Sequence, residues 1–210
     1  MNGLLDRLIE GLDETLRTLT GTAVASERAN PADGVEEVAL SDEERKLSVR
    51  LMRVNHAGEI AAQGLYHGQA FFALGDDMRE RMLKNAHEEA DHLYWCRRRI
   101  EQLGGRTSLL APFWYAGSFA IGMGAGLFGD KWNLGFVKET EEQVVEHLES
   151  HLERAPGNDK PTLAIIEQIK RDEAEHARDA ERAGADDLPE CARRAMRLSA
   201  KVMTTGAWWV

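Results

Sequence analysis

Apolar residues recur every three to four positions along most of the chain, and few stretches alternate every second residue, so the pattern predicts helices rather than strands. A short amphipathic helix is predicted over 3–19, with Leu4, Leu5, Leu8, Leu12 and either Leu16 or Leu19 on one side. Residues 21–40 read as a linker containing Pro31, Asp33 and Gly34. The first long helix starts at Ser41, which has capping-box spacing to Glu44, and runs to about 74. After a turn at Gly75-Asp76 the second continues to about 103 and ends at Gly104-Gly105. A third covers about 130–155 and is stopped by Pro156-Gly157. The fourth opens near Pro161, a good first-turn residue, and ends near Gly184. A last helix is predicted over 189–207. Four long helices with satellites predict an all-α four-helix bundle.

One segment breaks the amphipathic pattern. No charged residue occurs over 107–129, and 109–128 reads LLAPFWYAGSFAIGMGAGLF. A membrane-spanning helix needs about 20 apolar residues, so length alone is borderline sufficient. Pro112 and five glycines (117, 122, 124, 126 and 129) argue against a span. Two readings stand: a buried Gly-rich helix or crossover, or a segment lying in a membrane interface or lining an apolar ligand tunnel. The N-terminus carries acids among its apolar residues and lacks the features of a signal peptide, which leads us to expect a chain kept in the cytoplasm.

Composition narrows the function classes. The chain has 210 residues, 43% hydrophobic and 30% charged, which suits one domain with a sizeable core. Its formal charge of −10 argues against nonspecific nucleic-acid binding, which needs positive charge facing phosphates. Two cysteines, Cys96 and Cys191, make no disulfide framework and point to a reducing compartment. The 36 acidic residues are many for a helical core protein, and their placement carries the chemistry.

Glu-x-x-His occurs twice, as Glu89 with His92 on the second helix and Glu173 with His176 on the fourth. Residues three apart share a helix face, so a carboxylate and an imidazole can grip one cation together. A single copy is weak evidence, because helices rich in Glu and His produce it by chance. The faces decide more. Neighbours of Glu89 include Met82, Ala86, Leu93 and Cys96, and those of Glu173 include Ile166, Ile169, Ala177 and Ala180. Both glutamates therefore face the core, whereas Glu175 sits among Arg171, Arg178 and Asp179 and faces out. An isolated buried carboxylate is costly, so it should be paired, protonated or metal-bound. On the first helix Glu59 shares its face with Met52, Ala62, Tyr66 and the polar Asn55, His56 and Gln63. On the third, Glu141 lies among Leu134, Val137, Val144, Val145 and Leu148, whereas Glu142 lies among charged residues.

The spacing shows an internal repeat. Glu59 precedes Glu89 by 30 residues and Glu141 precedes Glu173 by 32. Each half is a helical hairpin with one Glu on its first helix and Glu-x-x-His on its second. Two such hairpins meeting about an approximate twofold axis bring together Glu59, Glu89, His92, Glu141, Glu173 and His176, the ligand set of a dinuclear carboxylate site. The second and third long helices then run parallel, so residues 104–130 must travel the length of the bundle. The resulting division is an N-terminal helix and linker (1–40) and one domain (41–210). Within the domain come repeat 1 (about 41–105), an apolar crossover (106–130), repeat 2 (about 131–184) and the last helix.

Four carboxylates offset two divalent ions, and oxygen and imidazole donors without thiolate suit iron or manganese. Two redox-active ions can reduce O₂, which a single zinc ion cannot. Glu88 and Asp172 each precede a ligand glutamate, and each is a candidate to accept a hydrogen bond from the His of the opposite half; surface salt bridges are the plainer alternative. His147 is a candidate to line the cavity or a surface residue. His56, His67, His87 and His151 read as solvated or supporting rather than ligating, and Tyr66 and Trp95 as core residues.

The string Asn55-His56-Ala57-Gly58-Glu59, the Glu-x-x-His at 89–92, Glu141 within Glu-Thr-Glu-Glu-Gln, and Asp172-Glu173-Ala174-Glu175-His176 resemble the ferritin-like di-iron demethoxyubiquinone hydroxylases. The resemblance runs from about residue 41 to the C-terminus. It implies a ferritin-like bundle holding two iron ions on Glu59, Glu89, His92, Glu141, Glu173 and His176. It also implies hydroxylation of a polyprenylated methoxy-benzoquinol in ubiquinone biosynthesis, using O₂ and an external reductant for which NADH is the candidate. Leu148 departs from relatives that carry a Tyr beside the residue matching His147, so a redox relay through that Tyr is not expected here. A bilayer-resident quinol requires access to the membrane interface. The resemblance therefore implies peripheral association with the cytoplasmic face of the cell membrane through 107–129 and the last helix, with Trp208-Trp209 and Arg193, Arg194, Arg197 and Lys201 as contacts. A homo-oligomer or an accessory lipid-binding protein are the candidate protein partners. Two competing expectations are a ferritin-like ferroxidase or peroxide scavenger, and a membrane-associated helical protein that binds no metal.

Overall fold

A computed structural model describes residues 13, 15–18, 20, 28–73 and 75–210. The expected helix over 3–19 falls largely outside them; those described within it are helical, and Thr15 reaches across to the Tyr115 hydroxyl at 3.0 Å. The helices are α1 (Asp42–Phe72), α2 (Asp76–Gln102), α3 (Ala111–Leu127), α4 (Asp130–Arg154), α5 (Lys160–Arg182) and α6 (Glu190–Trp209). No strand occurs among the described residues.

Local chemistry sets the helix ends. The Ser41 hydroxyl accepts the Glu44 amide, and the Glu44 carboxylate accepts the Ser41 amide at 2.8 Å, so both partners of the capping box are present. Asp159 caps α5 by accepting the Thr162 amide. The same carboxylate takes a 2.8 Å bond from Arg99 of α2, and both partners are buried, which ties the start of α5 to the end of α2. Gly104 and Gly129 take φ of 68° and 96° in the turns flanking α3, a region that L side chains rarely adopt.

Helices α1 and α2 form one hairpin and α4 and α5 the other; together they make a ferritin-like four-helix bundle, with α3 as the crossover. The interior is layered. One apolar cluster gathers Tyr66, Met78, Met82, Leu134, Val137 and Ala180. A second gathers Met52, Trp95, Cys96, Ile100, Leu148, Ile165, Ile166 and Ile169. Between these clusters lie the buried Glu59, Glu89, His92, Glu141 and Glu173, with His176 beside them, so hydrophobic packing above and below clamps a charged layer near mid-bundle.

The uncharged segment is a helix lying along the outside of α1. Its glycines explain the close approach. A Cβ at Gly122 would collide with the Leu65 carbonyl, and one at Gly68 with the Phe119 carbonyl and, at 2.9 Å, the Met123 amide. Backbone meets backbone there, which only glycine permits. The inner face of α3 is thus buried, while Phe113 and Phe128 on the outer side are 71% and 74% exposed. No described helix is long and apolar enough to cross a membrane. Helix α6 packs chiefly on α1, where Ala207 is buried against Val54 and Ala57. Trp208 is flanked by the Arg50 and Arg154 guanidinium groups at 5.5 and 4.9 Å.

Candidate metal centre

The charged layer draws one face from each of four helices. Glu59, Glu89, His92 and Glu173 offer donor atoms within 4.8 Å of one another, and so do Glu89, Glu141, Glu173 and His176. Glu89 and Glu173 belong to both groups, the placement of bridging carboxylates between two cation positions. All six are buried except His176, which is 10% exposed at its side chain. Cys96, one turn beyond His92, belongs to neither group, so the donors are oxygen and nitrogen only.

Both imidazoles are used the same way. His92 Nδ1 lies 2.9 Å from Glu89 Oε2 and 3.1 Å from Glu173 Oε1. Its Nε2 lies 2.9 Å from Asp172 Oδ2 on the opposite hairpin. His176 Nδ1 lies 3.2 Å from Glu173 Oε2 and 3.3 Å from Glu89 Oε1, and its Nε2 is 2.9 Å from Glu88 Oε2, again across the hairpins. An Nε2–H donated outward leaves the Nδ1 lone pair facing the centre, the tautomer that a ligating imidazole needs. Asp172 is held in turn by Arg28 at 2.6 Å and by the Gln168 amide at 2.9 Å. Lys84 holds Glu88 at 3.1 Å.

The electrostatics follow from packing six ionisable groups in a dry layer. Burial pushes Glu59 and Glu141 well above the usual carboxylate range, and the neighbouring carboxylates push the same way. Burial acts likewise on Glu89 and Glu173, but the two imidazoles outweigh it and hold both below that range. Burial lowers His92 and His176, yet the surrounding carboxylates raise both well above the usual imidazole value. The hydrogen bond to His176 draws Glu88 down to about 2. Two carboxylic acids, two carboxylates and two imidazolium rings make a neutral cluster. Four carboxylates, two neutral rings and two divalent cations are neutral as well, so the donor set fits such a pair of ions.

One functional contact escaped the sequence reading. The Tyr66 hydroxyl donates to Glu141 Oε1 from a fully buried ring, so Tyr66 is more than core filling. Its position two turns after Glu59 on the same face was the available signal. Trp95 is buried with its ring 5.4 Å from that of His92, and Arg28 sits 5.0 Å over its indole. His56, His67 and His151 are buried outside both donor groups, and His87 is exposed. His147 lines a cavity beside the centre, with its ring 4.0 Å from that of His151 and its pKa lowered by burial to about 4.

That cavity has a volume of about 1010 Å³ and lies between α1, α3, α4 and α6. Glu59, Glu141 and Glu173 form part of its wall at the buried end. At the other end lie exposed apolar residues, Phe113 and Ile121 of α3 and Val202 of α6. An apolar passage therefore runs from the surface between α3 and α6 to the carboxylates.

Similarity to known proteins agrees with this arrangement. The 3-demethoxyubiquinol 3-hydroxylase of Nitrosococcus oceani is 53% identical over 206 residues, 98% of this chain and 96% of its own length. Those of an Azoarcus species and of Chromobacterium violaceum are 50% and 51% identical over 207 residues, each match covering 99% of this chain and the full relative. The family profile described as "Ubiquinone biosynthesis protein COQ7" matches residues 46–207. With the profile spanning every helix of the bundle, the chain belongs to the ubiquinone biosynthesis protein COQ7 family.

Proposed function

We propose that this protein hydroxylates the ring of a polyprenylated methoxy-methyl-benzoquinol, the demethoxyubiquinol of its relatives' names, at a di-iron centre held by Glu59, Glu89, His92, Glu141, Glu173 and His176. The observation that carries this reading is the convergence of the two donor groups on the closed end of an apolar passage. Two iron ions held there would supply the activation of O₂ that ring hydroxylation requires. One oxygen atom goes to the ring and the other leaves as water, with two electrons from an external reductant; NADH is the candidate.

The chain's own part is positioning and exclusion. Apolar layers above and below the donors keep bulk water from the centre. Asp172 and Glu88 fix ring orientation and tautomer at His92 and His176. Tyr66 holds its hydroxyl proton on Glu141, beside the passage, where a hydrogen bond steadies that carboxylate. The passage is wide enough for a ring followed by a prenyl chain, and its apolar wall favours both. A ferroxidase or peroxide scavenger has no need of a passage this wide and this rich in apolar side chains, whereas a prenylated quinol does.

The passage opens between two helices that carry exposed apolar side chains, including Phe113, Leu198, Val202 and Trp209. We read this rim as the face that rests on a bilayer, with the protein peripheral on the cytoplasmic side of the cell membrane and quinol entering directly from lipid. The decisive assay supplies iron-loaded protein with the methoxyquinol, O₂ and NADH or a chemical reductant, and identifies the product by mass. Hydroxylated quinol is expected; no product from protein holding two irons per chain would sink the proposal.

A further inference from the structure

Basic residues on α6 and basic residues around its last turn are used differently. Arg193, Arg194 and Arg197 pair with Glu190, and Arg197 also reaches Glu139, so their charge is answered within the protein. Four arginines around the last turn of α6 pair with no carboxylate among the described residues. They are Arg50 and Arg53 of α1, Arg106 in the loop before α3, and Arg154 at the end of α4.

The fold gathers them. Arg50 and Arg53 are three apart on α1, on the stripe that continues through Val54 and Ala57, where Ala207 docks. The Arg50 guanidinium lies 5.5 and 5.3 Å from the rings of Trp208 and Trp209, and that of Arg154 lies 4.9 Å from Trp208. Arg53 is 9% exposed and makes no hydrogen bond among the described residues; only its Nε is shut off from the surface, so the terminal nitrogens are open to a ligand. Burial first, then the charges of Arg106 and Arg50, lower its pKa, but a guanidinium keeps its proton at neutral pH. Like charges gathered in a partly buried cluster repel one another, so the arrangement calls for an anion.

The surroundings say which anion. A Cβ at Gly206 would meet the Trp114 ring at 2.8 Å, so the start of α3 lies against the end of α6, beside the arginines. Leu109, Phe113 and Trp209 in this region are 63%, 71% and 67% exposed. A soluble phosphate calls for charge alone. Bare apolar side chains flanking the arginines match a molecule that joins a phosphate to acyl chains.

We propose that Arg50, Arg53 and Arg106 seat the headgroup phosphate of an anionic phospholipid, with Trp208 and Trp209 packed beside Arg50 at the bilayer interface. This rests on the reading of α3 and α6 as a rim resting on the membrane, and it adds the class of lipid and the residues that select it. Trp114 belongs both to this apolar cluster and to the wall of the passage, so a lipid held here keeps the mouth of the passage against the bilayer.

The test is cosedimentation of the iron-loaded full chain with vesicles of phosphatidylcholine alone and of phosphatidylcholine mixed with phosphatidylglycerol. An arginine near an anionic surface is worth about fivefold in vesicle affinity. Despite its net charge of −10, the wild-type protein should prefer the mixed vesicles roughly tenfold or more, and salt should shrink the preference. Arg53→Gln and Arg106→Gln should each lose about fivefold on mixed vesicles and none on phosphatidylcholine. Arg81→Gln, the same charge change at an exposed position of α2, should bind as wild type does. Equal binding of the wild-type protein to the two vesicles would overturn the seat and leave the apolar rim, even where the variants fail to fold. An equal loss in Arg81→Gln would overturn it too, because net charge would then decide. Binding to neither vesicle removes the seat and the membrane reading together. Inorganic phosphate titrated without vesicles separates the sources. Binding that Arg53→Gln abolishes, with no preference between vesicles, assigns the arginines to a soluble phosphate and overturns the proposal. Product from a short-chain methoxyquinol judges the hydroxylase reading apart: product without vesicle preference refutes the seat alone.

Discussion

His92 and His176 each turn one ring nitrogen to the centre and the other to a carboxylate of the opposite hairpin. Removing the outer charge should therefore weaken the inner contact. Asp172→Asn keeps an acceptor for His92 Nε2–H but loses the charge, and iron affinity in competition dialysis should fall roughly 10- to 100-fold. Glu88→Gln should fall less, because Glu88 is nearly a third exposed and paired with Lys84. An unchanged affinity in Asp172→Asn would show that Arg28 and Gln168 hold that carboxylate for another purpose. A second residue-level prediction concerns acid stability. Burial lowers His56 to about 3 and His67 to about 4, against an ordinary value near 6.5. Both are neutral in the folded protein, and the unfolded chain binds protons first as pH falls. Their stabilising contribution is complete above about pH 6.5 and is lost as pH drops toward the folded values, by about 1.4 kcal/mol per pH unit for each group. The raised His92, His176, Glu59 and Glu141 act in the opposite sense, so the contrast is read between variants: on going from pH 7.5 to 5.5, metal-free His56→Gln should lose less melting temperature, or gain more, than metal-free wild type. A slope identical to wild type would exclude His56 as a contributor. At this scale face periodicity separated inward from outward carboxylates, as with Glu141 against the exposed Glu142. It did not assign Tyr66 to Glu141, because a contact between helices 75 residues apart has no characteristic spacing.

Among the elements, α3 is the Gly-rich crossover helix that its composition suggested, and the structure adds what its glycines do. Its glycines argued against a membrane span, but they do not weaken the helix into a loop; they let it lie against α1 at backbone distance. The reciprocal glycines are on α1 itself, at 64 and 68, where α1 read from its own sequence showed only mid-helix residues of poor propensity. Gly122→Ala should improve helix propensity locally yet destabilise the protein by about 1–3 kcal/mol, because its methyl group meets the Leu65 carbonyl. Gly124→Ala, where a Cβ would meet nothing, should leave stability level or raise it. Chemical denaturation of both variants checks the contrast, and equal effects would mean that α3 is not packed at backbone distance. The bounds of α1, α2, α4 and α5 were legible to within one or two residues because caps and stops are local, as at Ser41 and Gly104.

For the whole molecule, the proposed metal pair and the proposed membrane-facing rim make separable predictions. The donor layer joins all four bundle helices, so chelation should lower the melting temperature, and restored ferrous iron should recover it. Exposed Phe113, Phe128, Leu198, Val202 and Trp209 should carry the protein upward with liposomes in flotation, and a Phe113→Ser, Val202→Ser double variant should float less while keeping its iron. Recovery of the protein only in the unbound fraction would remove the membrane reading without touching the centre. The net charge of −10 also reads differently at this scale: four of the 36 acids meet in one buried cluster that protons or cations must neutralise.

The sequence by itself determined the helical class, the repeat of Glu and Glu-x-x-His, and which face of each helix turns inward, because periodicity and capping are properties of a few neighbouring residues. Only the tertiary structure decided that Glu89 and Glu173 are common to both donor groups, that Tyr66 meets Glu141, and that the passage runs between α3 and α6. Those facts depend on how far each helix is rotated and shifted against its neighbours, which packing of the whole core sets and no local spacing encodes.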